Sequence, residues 1–575
     1  MSEKSGGKSR VLIIIGVIVA IIGLAGAAVF LMPSVFNPQI TVPGDYRTIQ
    51  AAIDAAEEGD VIIVEPGVYY EQLDFMGKNI TVRSTDPEDP EVVAETIIDG
   101  RKRDAVVKFQ SGEGEEAVLQ GFVLANGVGA QASVTYEEDE EEVVSEGFFG
   151  GGVFVTNASS PTIINNIIAN NNVDLDGGGI AIKDGSDPII RYNTFEDNAS
   201  YSGAGISIWD SNPIIEENTF RNNRARYLGG AITVDMGSSP SISGNEMHNN
   251  SSTGGGAISV WKADPIITDN VIRNNSSIWI GGGITMADSS PTLDGNDITR
   301  NTATNYGGGI AVTGSSTPMI SNNEINHNYS EESGGGIAVT EGSDPTVIDN
   351  IISENTVLFG GGGLYIHESS ANISNNNIYN NRVQQDGGGL AILGGSTPEL
   401  INNVIDSNIA GRAGGAMVIG NESTARLEDN TISDNESATG GGIFVQNSTL
   451  NFLRNVISEN FAHDGSGGGV ILISNSSAEI IGNTFTGNRT IEFGGGVVAY
   501  DDSTVVLREN DFIENRAELG GAFIGFGDAS IDLSDPDDNT YSGNIPEDVE
   551  DEEIDQEMED DEANNENDDA GEENN

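Results

Sequence analysis

Gly177-Gly178-Gly179-Ile180-Ala181-Ile182 is the stretch whose repetition decides the fold. The apolar residue after the glycines recurs at Val153, Ile180, Ile206, Ile232, Ile258, Ile284, Ile310, Ile337, Leu364, Leu390, Met417, Ile443, Val470, Val497 and Phe523. Every step is 26 or 27 residues. A single apolar phase held at a period of this size is the signature of a solenoid, which lengthens without closing a globular core. That overrides the three or four domains that 575 residues would otherwise suggest.

Two more landmarks share the period. One is a Pro or small residue with Ile or Leu two places on, as in Pro188 and Ile190, Pro213 and Ile215, or Pro398 and Leu400. The other is Asn-x-apolar-x-x-Asn, as in Asn193, Phe195 and Asn198 or Asn510, Phe512 and Asn515, with a last degraded copy at Asn539, Tyr541 and Asn544. Each landmark is a short apolar alternation bounded by turn residues, which is a strand with one face inward. Three such strands per coil predict an all-β, three-sheet parallel solenoid over residues 150–545. Coils about 4.8 Å apart make this regular part roughly 70 Å long. Glycine supplies the φ > 0 that a sharp corner needs. Asparagine at one phase can pass an amide hydrogen bond from coil to coil.

The rest of the chain is read outward from the repeats. Residues 1–10 are polar and basic, with Lys4, Lys8 and Arg10, and residues 11–32 are an apolar run without charge. That run is long enough to span a hydrocarbon core of ~30 Å. The positive flank predicts a cytoplasmic N-terminus, a transmembrane signal anchor and an extracytoplasmic body at the cell surface. A cleaved signal peptide ending near Ala25-Gly26-Ala27 is the alternative, and it too exports the body. Residues 33–44 read as a linker. Residues 45–149 hold a capping helix, with Ile49, Ala52, Ile53 and Ala56 on one face, followed by irregular first coils. Glu137 to Glu142 reads as a solvated acidic loop. Residues 546–575, rich in Asp, Glu and Asn, read as a disordered acidic tail.

Composition excludes several classes of function. There is no Cys, hence no disulfide, thiolate metal site or Cys nucleophile. A net charge of −65 excludes nucleic acid as a partner, because phosphates could not be neutralised. The glycines lack the Lys-Ser/Thr of a phosphate loop, and the four His at 248, 327, 367 and 463 lack metal spacing.

The early segments Thr48-Ile49-Gln50-Ala51-Ala52-Ile53 and Gly59-Asp60-Val61-Ile62-Ile63-Val64, then Pro66-Gly67-Val68-Tyr69, resemble the start of pectin-lyase-like right-handed parallel β-helix proteins. Gln120 to Gly127 resembles the bridge into their repeats. Gly229-Gly230-Ala231-Ile232 and Phe220-Arg221-Asn222-Asn223 are similar to repeats of chlamydial polymorphic membrane proteins. The resemblance implies the right-handed fold over about residues 42–544. That superfamily includes lyases, hydrolases, esterases and adhesins, so fold alone fixes no activity. The pectinesterase-type Gly-x-x-Asp-Phe-(Ile/Val)-Phe-Gly stretch is missing from the sequence, and so is a C-terminal barrel of the autotransporter kind.

In enzymes of this fold substrates lie along one sheet face, which points to the outward positions after the glycine corner. One place past the first inward residue these are small: Ala181, Ser207, Thr233, Ser259 and Thr285. Three and four places past it they are larger: Lys183 and Asp184, Trp209 and Asp210, Asp235, Trp261 and Lys262, Asp288, Glu341, His367 and Glu368. Asp184, Asp210 and Asp235 are the candidate catalytic carboxylates, expected to stack along one edge, where they could share a proton or hold Ca²⁺. Trp209, Trp261, Lys262 and Asp288 are the candidate ligand-binding residues, the two Trp serving as platforms for sugar rings. No other cofactor is expected. The sequence reading favours a surface protein that binds a glycan or a partner without catalysis. The alternatives are a polysaccharide lyase or glycoside hydrolase, and a calcium-dependent surface assembly.

Overall fold

The structure, a computed structural model, describes residues 39–138, 141–533 and 538–546. The cytoplasmic segment, the membrane anchor, the first half of the linker and the tail beyond residue 546 lie outside these residues; the second half of the linker is not one, since Gln39–Val42 is a strand paired with Val61–Val64 in the solenoid. Among the described residues no helix is long and apolar enough to cross a membrane.

The chain winds as a parallel β-solenoid. The strand after each glycine corner forms one wall, 17 strands deep (the glycine sheet). The strand after the Pro position forms a second, 19 deep (the proline sheet), and the strand between the two Asn forms a third, 18 deep (the asparagine sheet). Register follows the sequence period: Ile180 pairs with Ile206, Ile206 with Ile232, and Ile232 with Ile258. A short helix, Ile49–Ala55, is capped by the Thr48 side chain and buries Ile49, Ala52 and Ile53 beside the first strands. A second, Pro90–Glu95, has Asp89 as its N-cap.

Two further expectations need correction. The three-sheet reading is incomplete, because a fourth stack of 12 two- to five-residue strands runs from Ala199–Ser200 to Arg489–Thr490. Most offer a single small inward residue, such as Ser200, Ala225, Ala303 or Ser330. So short a segment leaves no visible alternation in the sequence. The acidic stretch is also no simple loop. Ala130–Glu138 pairs antiparallel with Glu141–Phe149, with Ala130 opposite Phe149 and Val134 opposite Ser145. Ala130, Val134 and Phe149 pack with Ala105, Phe154 and Ala181, so the hairpin lies against the outer face of the glycine sheet.

The interior is dry and periodic. Ile206, Ile208, Ile215 and Phe220 of a single coil have no exposed surface. Phe195 stacks on Phe220 with ring centroids 4.6 Å apart, and Phe485 on Phe512 at 5.0 Å. Both asparagines of the third landmark form continuous buried ladders. Asn301 Oδ1 accepts the Asn275 backbone N–H (2.9 Å) and Nδ2 (3.1 Å), while its own Nδ2 reaches the Ile272 carbonyl (2.8 Å) and Asn328 Oδ1 (3.1 Å). Asn198 and Asn250, which fall in Asn-x-Ser sequons, are locked in this ladder and have essentially no exposed surface. A serine ladder does similar work at the turn into the proline sheet, where the Ser289 N–H donates to Ser316 Oγ (3.1 Å) and the Ser316 N–H to Ser343 Oγ (3.2 Å). These side chains satisfy turn amides that burial would otherwise leave unpaired.

The corner itself has two separate reasons for glycine. Its first residue has φ > 0, with +72° at Gly177 and +67° at Gly307. The later ones sit against the next coil: a Cβ on Gly178 would lie 2.6 Å from the Ala204 carbonyl oxygen.

Candidate functional site

The corner decides which outward positions are accessible. Its incoming loop folds back over the first outward row, so Thr233 Oγ1 donates to the Leu228 carbonyl (3.2 Å) and Thr285 Oγ1 to the Ile280 carbonyl (3.0 Å). Ala181, Ser207 and Thr233 are therefore buried under the corner rather than offered to a ligand, and Ser259 and Thr285, though nearly buried, reach the groove wall. Beside this ridge runs a groove of about 790 Å³. Its floor is the last row of the glycine sheet, its outer lip the loops before the corners, and one end is walled by the hairpin through Val134 and Ser145.

The expected carboxylate stack forms only in part: Asp184 and Asp210 follow one another at the edge of consecutive coils, but Asp235 is out of phase with them. Across the ladder Asp235 faces Trp209 on one side and Trp261 on the other. Asp210 is one phase later, in the exposed left-handed turn that ends each strand, at φ +43°. Asp184 (φ +58°), Lys262 (+49°) and Asp288 (+51°) occupy the same exposed turn row. The cause is one of phase: the coil of Asp235 places Met236 in that row, at φ +43°. Asp184 accepts from Thr156 Oγ1 (2.6 Å) and lies 3.5 Å from Lys183 Nζ, which itself donates to the Ser133 carbonyl of the hairpin. Trp209, Asp235 and Trp261 thus enter the groove, whereas Asp184, Asp210, Lys262 and Asp288 rim the coil edge. Lys262 Nζ rests 4.5 Å from the centroid of the Trp261 ring. Among the described residues no group of three or more His, Cys, Asp or Glu could hold a metal ion, so the Ca²⁺ site read from Asp184, Asp210 and Asp235 has no geometric basis.

The structure brings in a carboxylate that sequence reasoning passed over. Asp176 stands just before the Gly177 corner, where its neighbours up the stack are Ser202, Leu228, Gly254 and Ile280. It is 6% exposed and Asp235 is 3% exposed, and both line the groove. Burial pushes Asp176 up from the ordinary carboxylate range to about 7, although the nearby Ser202 backbone and Trp209 indole favour its charged form. Asp235 is pushed well above its ordinary value, first by burial and then by the charge on Asp176. The corner row contains one other Asp, Asp386, and that one is paired with the Arg412 guanidinium (Nε to Oδ1 2.7 Å). The available signal was therefore an acid at the corner without a basic residue one coil on.

Farther along, the groove is aromatic. Tyr201 stacks on Tyr227 at 5.4 Å, Tyr306 on Tyr365 at 5.8 Å and Tyr365 on His367 at 5.9 Å, and Trp279 stands half-exposed on the lip. Burial and the acidic neighbours Glu332 and Glu368 lift the Tyr365 hydroxyl to about 12, so it remains a neutral donor. Glu341 and Glu368 give the lining its negative charge.

A raised carboxyl value has a definite sign in stability. Between pH 3.8 and about 7 the unfolded chain has released the Asp176 proton that the folded chain retains, so this group's contribution to stability falls as pH rises through that window. Asp176→Asn removes the effect. The stability of the variant relative to the native chain, followed by urea unfolding, should rise by about 4 kcal/mol between pH 4 and pH 8. A flat difference would contradict the burial of this carboxyl.

Comparison with known proteins agrees with this architecture. The family described as "Right handed beta helix region" matches residues 151–324, 268–405 and 403–552, well over half of the chain. The protein belongs to that family, and its coils have that hand. Among solved structures, a PL6-family alginate lyase, AlyGC, aligns over 88% of this chain and 99% of its own, with 11% identity and a TM-score of 0.24. No curated protein matches.

Proposed function

We propose that the protein is an exported, surface-held β-solenoid whose groove binds an uncharged polysaccharide. The observation that carries this reading is the lining of the groove: Trp209, Trp261, Trp279, Tyr306 and Tyr365 are spread along successive coils on one open face. Flat apolar rings with polar rims suit the faces of sugar rings, and an extended trough suits a linear polymer. The acidic lining and the net charge of −65 disfavour uronate and sulfated polymers, which would be repelled. Export rests on the apolar run at residues 11–32 with its basic flank. The similarity of Gly229 to Ile232 and Phe220 to Asn223 to repeats of chlamydial polymorphic membrane proteins supports a place at the cell surface.

Full-length protein in detergent should be retained by one or more of cellulose, xylan, mannan and chitin, and not by alginate or polygalacturonate. Trp261→Ala should weaken that retention about 30-fold, the loss of an anchor worth about 2 kcal/mol. Retention by none of the neutral polymers, or unchanged retention in Trp261→Ala, overturns the reading. Externally added protease should remove the solenoid from intact cells while residues 1–10 stay protected.

A further inference from the structure

We infer that the groove hydrolyses the glycan it holds, with the Asp235 carboxyl protonating the glycosidic oxygen and the Asp176 carboxylate accepting a proton from the attacking water. This inference rests on the glycan-binding reading above and adds an activity to it.

Three observations lead to it. The first is that Asp235 is a nearly buried acid whose carboxyl no hydrogen-bond donor reaches among the described residues, although it faces the groove. A carboxyl so placed costs folding free energy without returning any, and in a groove its remaining partner is a ligand. The second is its setting between two indoles in ladder register, Trp209 and Trp261. A sugar ring seated on those indoles brings its glycosidic oxygens over the carboxyl between them. The third is the position of Asp176. Its coil is two steps from that of Asp235, since Asp176 bridges Ser202 and the strand of Trp209 pairs with that of Asp235. Coils two steps apart are separated by about 9.6 Å. That axial spacing stands at the upper limit of the roughly 6.5–9.5 Å between carboxyls that leaves room for a water, the arrangement of inverting glycoside hydrolysis.

The two environments also divide the roles. The Ser202 backbone and the Trp209 indole lie where they favour the charged form of Asp176, whereas Asp235 gains no such support and faces the charge of Asp176. One group is thus held as the base and the other as the acid.

The step balances without a cofactor. The bond between the anomeric carbon and the glycosidic oxygen breaks, and that oxygen leaves with the Asp235 proton as a hydroxyl. The water oxygen bonds to the anomeric carbon, and the water's proton passes to Asp176. One water is consumed for each new reducing end. The original state returns when Asp176 releases a proton to solvent and Asp235 takes one up.

The test takes the full-length chain and the neutral polymer that it retains most strongly, and measures both retention and new reducing ends, in water enriched in ¹⁸O. The expected result is release of reducing ends carrying one ¹⁸O. Asp235→Asn and Asp176→Asn should each lower the rate by ~10²–10⁴-fold while retention stays within a few fold of native. Asp210→Asn, at the exposed edge, should cleave at the native rate. Circular dichroism at the assay temperature identifies a variant that fails to fold, and Asp235→Glu, which restores an acid, should recover part of the rate. Retention without any release of reducing ends overturns catalysis and leaves the glycan-binding reading intact. So does native-rate cleavage by Asp235→Asn, or unsaturated products that incorporate no ¹⁸O. Retention by none of the polymers removes both readings.

Discussion

Asn301→Ala should lower the stability of the repeat array by about 4 kcal/mol. The side chain closes four hydrogen bonds between coils, all within 3.1 Å, and it is fully buried. Asn275 Nδ2 retains the Met247 carbonyl and Asn328 Oδ1 retains the Asn301 backbone N–H. The Asn275 backbone N–H has no such alternative. An orphaned buried donor costs about 1–3 kcal/mol and each further lost bond about 1. Coils contact only their neighbours, so the loss falls on one interface and propagates as cooperative opening from that point. Urea unfolding followed by circular dichroism measures the effect. Asn377→Ala, at an exposed strand position, is the control and should stay within about 0.5 kcal/mol. If Asn301→Ala behaves like the control, the ladder does not hold the coils together.

Gly307→Ala should be comparably severe, at about 3 kcal/mol or more. Two costs add. A φ of +67° is unfavourable for an L side chain by about 1–2 kcal/mol. The new Cβ would also meet the Ile310 carbonyl oxygen at 2.3 Å, a backbone contact that cannot swing aside, and overpacking of this kind costs about 1–3 kcal/mol. The companion substitution Gly309→Ala, two residues on, should cost less than about 1.5 kcal/mol. Its Cβ approaches the Gly336 oxygen at 2.7 Å, yet the equivalent corner position already holds Ala231, Ala257, Ala416 and Ala522 in other coils. Thermal unfolding of the pair checks the contrast. Equal losses would mean that crowding, not the left-handed backbone, demands the first glycine.

Most of the fold was legible because a solenoid writes its geometry as a period. Ile206 and Ile232 are 26 residues apart, and they meet because every coil spends the same length returning to one corner. The asparagine ladders were legible for the same reason. The fourth sheet was not, since strands offering one small inward residue, such as Ala225, carry no pattern of their own. Nor was the hairpin. The charges of Glu137 to Glu142 obscured the alternation of Ala130, Ala132 and Val134, which pack on the coil beneath or beside it.

The candidate site was half legible. Trp209, Asp235 and Trp261 could be singled out as outward residues that vary from coil to coil, and the groove receives them. Asp184 and Asp210 were grouped with Asp235 because counting along the chain cannot separate a strand end from the turn after it. The register can: Asp235 pairs with Trp209, and the left-handed turn begins one residue later. Asp176 precedes its corner by one residue and Asp235 ends a strand two coils on, so no local pattern links them.

The sequence by itself determined the coil, its period, its apolar interior and the glycine and asparagine positions, because each of these depends on contacts repeated at a constant offset. The tertiary structure alone decided which outward residues share a surface. It folded the corners over the first outward row, leaned the hairpin across one end and left the next row open as a groove. It also carried Asp176 and Asp235 out of water into that groove. Burial and mutual charge, which depend on distance in space rather than along the chain, are what join Asp235, already singled out in the sequence, to the unremarked Asp176 as a candidate acid and base.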